Sequence, residues 1–206
     1  MKALILVDLQ NDFCWGGALA VDEGNDVIPI ANQLMDKFEL VVATKDWHPA
    51  NHGSFAATHH AYWRKPGDVI DLNGLPQVLW PIHCVQGTFG SEFVNELNDD
   101  KIHHITYKGT DAGIDSYSGF FDNGRKKATD LHDYLQSKGV DEVYVMGLAT
   151  DYCVKFTALD AVSLDYKTHL VLEGARGVNL NAGDVDKAVE AMREAGVNII
   201  EDLTTI

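Results

Sequence analysis

Cys153 stands in the segment GLATDYCVKFTALDA, where the apolar run Val143–Leu148 gives way to residues at helical spacing, Val154, Ala158 and Val162. Thr150 or Asp151 can cap that helix. The thiol then falls in the first turn, where free backbone N–H groups and the positive end of the helix dipole favour thiolate. Two readings stand side by side: a nucleophile for acyl chemistry, and a small buried hydrophobe. Asp8 follows the apolar run Ala3–Val7, and Lys108 follows Ile102–Tyr107. If these runs are parallel strands, all three groups project at one edge of a sheet. A thiol, a carboxylate and an ammonium are the set that amide cleavage through a thioester needs. The carboxylate carries a proton from the thiol to departing ammonia, and the cation favours the thiolate. For Asp8 and Lys108 the plainer reading is an ion pair at strand ends.

A second constellation is Asp46-Trp47-His48, followed by His52 and later His83. On an extended chain residues i and i+2 point the same way, so Asp46 and His48 can hold one ion. Two imidazoles and a carboxylate suit zinc, iron or manganese, with positions left for water or substrate. His52 is the weaker member, four residues past His48 and across a proline. His59, His60, His103, His104, His132 and His169 read as surface or packing residues. Phe13, Trp80 and Tyr117 could line a pocket for a flat ring, or be core. Gly16-Gly17 and the Tyr117–Gly124 region are loop signals without phosphate-loop spacing, so no nucleotide cofactor is indicated.

The elements that must position these groups are short. Ala3–Val7, Leu40–Thr44, Ile102–Tyr107, Val143–Leu148, Thr168–Leu172 and Val197–Ile200 are strand-like, apolar and β-branched or aromatic. Helical stripes fall between them: Val27, Ile30, Ala31, Leu34 and Phe38; Leu131, Tyr134 and Leu135; and Val185, Ala188, Val189 and Met192, closed by Gly196. The alternation predicts an α/β fold, a three-layer αβα arrangement around a six-stranded, mostly parallel sheet, formed by residues 1–206 as one domain. From Asp46 to Asp100 the rhythm breaks, with one short helix expected at Glu92–Leu97, capped by Ser91. This stretch holds four of the five prolines, three of the four tryptophans and five of the nine histidines. It reads as a rigid, metal-binding excursion over the C-terminal edge of the sheet, where open α/β sheets bind ligands.

Net charge is −15 with no basic patch, which argues against nucleic acid or an anionic membrane as partner. No apolar run approaches the ~20 residues that span a bilayer, and Ala3–Val7 is too short for a secretion signal. Three cysteines cannot all pair internally, which fits a reducing cytoplasm. Self-association into a homo-oligomer is left open.

VDLQNDF at 7–13, TKDWHPANHGSFA at 44–56, WPIHCVQGT at 80–88, YKGTD at 107–111, DSYSGFFDN at 115–123 and GLATDYCVKFTALDA at 147–161 together resemble the blocks of one family. It is the nicotinamidase/pyrazinamidase branch of the isochorismatase-like cysteine hydrolases, and the resemblance spans nearly the whole chain. It implies Asp8, Lys108 and Cys153 as the catalytic triad and Asp46, His48 and His83 as ligands of one divalent metal completed by waters, with His52 ambiguous. It also implies Phe13 and Trp80 sandwiching a pyridine ring with Leu19 and Tyr117 nearby, and a cis Leu148–Ala149 peptide. The N–H groups of Ala149 and Cys153 would then form the oxyanion hole. The implied reaction is hydrolysis of nicotinamide to nicotinate and ammonia in NAD salvage. Pyrazinamide should also be cleaved, and benzamide, lacking the ring nitrogen, poorly. Two rivals remain: a related amidase acting on a carbamoyl or ureido compound, and a non-catalytic metal-binding thiol module.

Overall fold

Six segments, close to those expected, pair as one sheet in the computed structural model, which describes residues 1–206. The strands are β1 (Lys2–Val7), β2 (Leu40–Asp46), β5 (His104–Lys108), β6 (Glu142–Leu148), β7 (Lys167–Arg176) and β8 (Asn198–Ile200), in the order β5-β2-β1-β6-β7-β8. Every pairing is parallel. The sheet is thus wholly rather than mostly parallel, because each return crosses a face rather than turning back in a hairpin.

Alternate residues of β1 serve opposite cores. Leu4 and Leu6 pack with Val27, Ala31 and Leu34 of helix α1 (Val27–Met35). Ala3, Ile5 and Val7 face the other way, among Leu131 and Leu135 of α2 (Leu131–Ser137), Ala158 and Ala161 of α3 (Lys155–Ser163) and Met192 of α4 (Asp184–Glu194). All five of these β1 residues are fully buried, as two covered faces require, and only Lys2 at its start is exposed. No helix is long and apolar enough to cross a membrane.

The excursion between β2 and β5 contains more regular structure than expected. Val69–Leu72 (β3) and Leu75–Val78 (β4) form an antiparallel hairpin. Its two-residue turn, Asn73-Gly74, has positive φ at both positions (+54° and +89°), the geometry that asparagine and glycine tolerate best. The helix expected at Glu92–Leu97 is absent. Its backbone pairs instead with the segment after β1: Asn11 N–H donates to Glu92 O, Val94 N–H donates to Leu9 O, and Phe93 bridges to Gln10. Ser91 does not cap a helix; it ends a 3-10 turn, Phe89–Ser91, and its hydroxyl donates to Thr88 O. Chain groups committed to a neighbouring segment cannot also close helical turns.

Candidate active site

Parallel pairing brings the strand ends to one edge. Val7 pairs with Thr44 and Gly147, and Asp46 pairs with Lys108, so Asp8, Asp46, Lys108 and the segment after β6 converge. Asp8 leaves β1 with a left-handed backbone (φ +52°). Lys108 is buried at the centre: its Nζ lies 2.8 Å from Asp8 Oδ2 and 2.6 Å from Asp46 Oδ1. The same ammonium reaches Ser116 O at 3.1 Å and Cys153 Sγ at 3.4 Å. Thr44 completes the surroundings of Asp8, donating from Oγ1 to Oδ1 at 2.5 Å and accepting from the Asp8 N–H at 3.2 Å.

The electrostatics differ from the helix-terminus expectation for Cys153. Burial pushes its thiol well above the usual range; Lys108 opposes this, but the Asp8 and Asp46 charges and a hydrogen bond to Asp8 add to it. Cys153 therefore rests as a thiol. Burial also raises Asp8 against the pull of Lys108, with Asp46 adding to the rise. Burial would raise Asp46 too, but Lys108 and His48 outweigh it and hold that carboxyl well below the usual range. Burial opposes charge on Lys108, yet Asp46 and Asp8 raise it well above an ordinary lysine. One cation thus stands among two carboxylates and a thiol.

The local fold around Cys153 also departs from expectation. Thr150–Val154 form a π-helical turn ahead of α3, and neither Thr150 nor Asp151 caps a helix. The Asp151 carboxylate instead accepts from the N–H groups of Val178 and Asn179, at 2.9 and 2.7 Å. The Leu148–Ala149 peptide is cis, as the resemblance implied.

Beside Asp8, Lys108 and Cys153, the residues Asp46, His48 and His83 bring potential ligand atoms within 4.8 Å of one another, all buried. Asp46 Oδ2 lies 3.2 Å from His48 Nε2 and 3.5 Å from His83 Nε2. The far nitrogens are occupied by carbonyls, which only accept: His48 Nδ1 meets Gly109 O and His83 Nδ1 meets Pro81 O, both at 2.8 Å. Each ring is thereby oriented with Nε2 toward Asp46, as outer partners orient metal-binding histidines. Gly109 must be glycine, because at φ +63° a Cβ would stand 2.7 Å from His48 Nδ1. His48 Nε2 is buried and makes no hydrogen bond despite its nearness to Asp46. Burial disfavours charge on His48, but Asp46 overcomes this and raises it to about 9, a field suited to a cation. The donor set and the orphaned nitrogen fit a divalent ion, which must displace any Nε2 proton to bind. His52 is also buried, its ring centroid 4.2 Å from that of His48, but it groups with His48 and Asp115 rather than with Asp46 and His83. Burial, with His48 beside it, lowers His52 to about 4.

Both constellations open on one cavity, whose lining includes Phe13, Leu19, Trp80, Tyr117, Ala149 and Cys153. All four residues expected to receive a ring are therefore there. A match to the isochorismatase domain covers residues 2–202. The chain belongs to the isochorismatase family. Within this family it is 50% identical to the nicotinamidase of Escherichia coli over 202 residues, 96% of this chain and 93% of that protein. The Acinetobacter baumannii nicotinamidase/pyrazinamidase structure superposes with a TM-score of 0.95 at 45% identity, covering 100% of this chain and 98% of that one. The Pyrococcus horikoshii pyrazinamidase, solved in complex with zinc, gives 0.79 at 38% identity, covering 98% and 99%.

This isochorismatase-family site also uses residues that sequence reasoning passed over. Gln10 clamps Asp46 by its backbone, donating from Nε2 to Asp46 O and accepting the Asp46 N–H at Oε1, each at 2.8 Å. Asp12 accepts the Cys84 N–H at 2.7 Å, fixing the loop that carries His83. VDLQNDF thus supplies Asp8, two struts for the segments that carry Asp46 and His83, and Phe13. Tyr152, Val178 and Asp115 complete the lining. Tyr152 was legible as the residue before Cys153; Asp115 and Val178 carried no local signal.

Proposed function

We propose that this protein is a metal-dependent cysteine amidohydrolase that converts nicotinamide and water to nicotinate and ammonia, and pyrazinamide to pyrazinoate. The observation that carries the reading is the single small aromatic-lined cavity shared by Cys153, Ala149, Asp46 and His83. Phe13 and Trp80 take the faces of the pyridine ring, with Leu19 and Tyr117 against its edges. Asp46, His48 and His83 would hold the metal. Zinc is the favoured ion, on the donor set and on the zinc complex of the Pyrococcus horikoshii relative; iron and manganese suit the same donors. When bound, the ion supplies a Lewis-acid anchor for the ring nitrogen, orienting the carboxamide over the thiol.

The chemistry then belongs to the chain's own groups. Asp8 takes the Cys153 proton as sulfur attacks the amide carbon, and the N–H groups of Ala149 and Cys153 receive the developing oxyanion. Asp8 returns that proton to nitrogen, the C–N bond breaks, and ammonia leaves a thioester. Asp8 next takes a proton from water, whose oxygen attacks the thioester carbon. The C–S bond breaks and the proton passes to sulfur, restoring the thiol and releasing nicotinic acid, which ionises to nicotinate in water. Lys108 holds Asp8 in place and offsets the negative charge that moves between Asp8 and sulfur.

Ammonia release from nicotinamide tests this. Metal-replete wild type should turn over, while Cys153→Ala and metal-stripped protein should not. Full activity in Cys153→Ala would remove the thiol mechanism. Activity in protein confirmed free of metal would remove the anchoring role.

A further inference from the structure

Outside the cavity that holds Cys153 lies a second concavity, and two residues belong to both. Of the cavity lining only Leu19, Tyr117, Tyr152 and Val178 keep solvent access, so these four form its mouth. Tyr117 and Tyr152 also line a neighbouring cleft, together with Val78 of β4, Lys155 and Phe156 of α3 and Lys187 of α4. Tyr117 is fixed between the two spaces: its hydroxyl accepts from Gln77 Nε2 at 3.1 Å and from Trp80 Nε1 at 3.4 Å. Its ring stacks on Phe156, with centroids 5.4 Å apart and 27° between planes, and meets Tyr152 edge-on at 5.4 Å. Three aromatic rings thus stand at the threshold of the reaction chamber.

The charges of this cleft are unevenly satisfied. The Asp151 carboxylate accepts from the N–H groups of Val178 and Asn179. Asp184 takes Lys187 Nζ at 3.3 Å, together with the Asn181 N–H and side-chain amide. Lys155 is left over. Half-buried in the wall, its ammonium stands 4.7 Å from the centre of the Phe156 ring and pairs with neither carboxylate. Burial lowers its pKa from the ordinary lysine value, against the pull of Asp151 and Asp184, so an anion beside it relieves a cost already present. A concave aromatic surface with one unpaired cation is the complement of a flat ring that bears one negative charge.

We propose that this cleft is a second binding site, for an aromatic monocarboxylate: the carboxylate takes the Lys155 ammonium, and the ring packs against Tyr152 and Phe156. Nicotinate is such an anion, and the amidase reaction proposed above releases it at the shared mouth. Its arrival from the neighbouring chamber rests on that reaction; the preference of the cleft for a charged aromatic ring does not.

Methyl NMR of the zinc-loaded protein separates the two spaces, with Val78 reporting the cleft and Leu19 the reaction chamber. Nicotinate and benzoate should each shift Val78 to saturation. Benzamide, the ring without the charge, and acetate, the charge without the ring, should not do so at the same concentration. Lys155→Met should weaken nicotinate binding at Val78 about 10-fold, as loss of a charged hydrogen bond does, while the Leu19 curve stays in place. Lys155→Arg should recover it. Nicotinamide added to active protein should shift Val78 only as ammonia accumulates, which marks the product as the source. A Val78 signal unmoved by nicotinate, moved equally by benzamide, or indifferent to Lys155→Met overturns the proposal. A Val78 response to nicotinate with no ammonia formed from nicotinamide instead overturns the amidase reading and leaves the cleft standing.

Discussion

Lys108 holds two buried carboxylates together, and that arrangement makes it the most consequential single side chain of the site. With Asp8 Oδ2 and Asp46 Oδ1 within 2.8 Å of its Nζ, truncation leaves two like charges facing each other out of water. Lys108→Met should lower unfolding stability by about 3–5 kcal/mol, the cost of breaking a buried pair from one side, read by chemical denaturation. The same cluster sets the behaviour of the thiol. Because burial and the Asp8 charge raise Cys153 well above an ordinary thiol, its thiolate fraction is small at neutral pH and grows only as pH rises beyond the usual thiol range. Iodoacetamide should label Cys153 more slowly than free cysteine at pH 8. Asp8→Asn removes one of the charges that raise the pKa and keeps Lys108, so labelling should become faster while turnover falls by ~10²–10⁴ for want of the proton acceptor. Slower labelling in Asp8→Asn would contradict the assignment.

At the scale of elements, the sheet carries its chemistry at one edge and a latch at the other. Glu142, at the start of β6, accepts from His169 Nε2 at 2.8 Å and Lys167 Nζ at 3.1 Å on β7, and from Tyr144 Oη at 3.1 Å. Burial would raise Glu142, but these bonds, led by Lys167, hold it at about 2. A depressed carboxylate contributes stability that is present above its unfolded value of ~4.3 and is lost as pH falls toward about 2. Glu142→Gln should therefore cost about 1–2 kcal/mol at pH 7, after allowance for its partial exposure, and little at pH 2. Denaturation at both pH values checks it. Parallel strands were legible because two covered faces force near-continuous apolar runs, as in Ala3–Val7 and Val143–Leu148. Asp8, Lys108 and Cys153 were legible because each stands one to five positions past such a run. The excursion was less so. Glu92–Leu97 has helical spacing, but its backbone pairs with Leu9 and Asn11, a long-range choice that spacing cannot report. The β3–β4 hairpin did carry a local signal, Asn73-Gly74, obscured by Pro76 and by strand residues that are mostly half-buried or exposed. Gln10 and Asp115 act through partners distant in sequence, so neither announces itself locally.

For the molecule as a whole, net charge and cavity size set which substrates suit it. The chain carries −15, while nicotinamide is neutral, so long-range steering contributes nothing to its capture. Catalytic efficiency toward nicotinamide should change little between low and high ionic strength; a steep salt dependence in kcat/KM would contradict this. The anionic product, by contrast, leaves a negatively charged protein. Asp46 and His83 are buried within the lining of a small cavity, so a pyridine must offer a bare ring nitrogen to the ion proposed there. In an intact nicotinamide nucleotide that nitrogen is bonded to ribose and positively charged, with no lone pair to present and a sugar where the ligands stand. The free base is consumed, and the dinucleotide pool from which it was shed is left untouched.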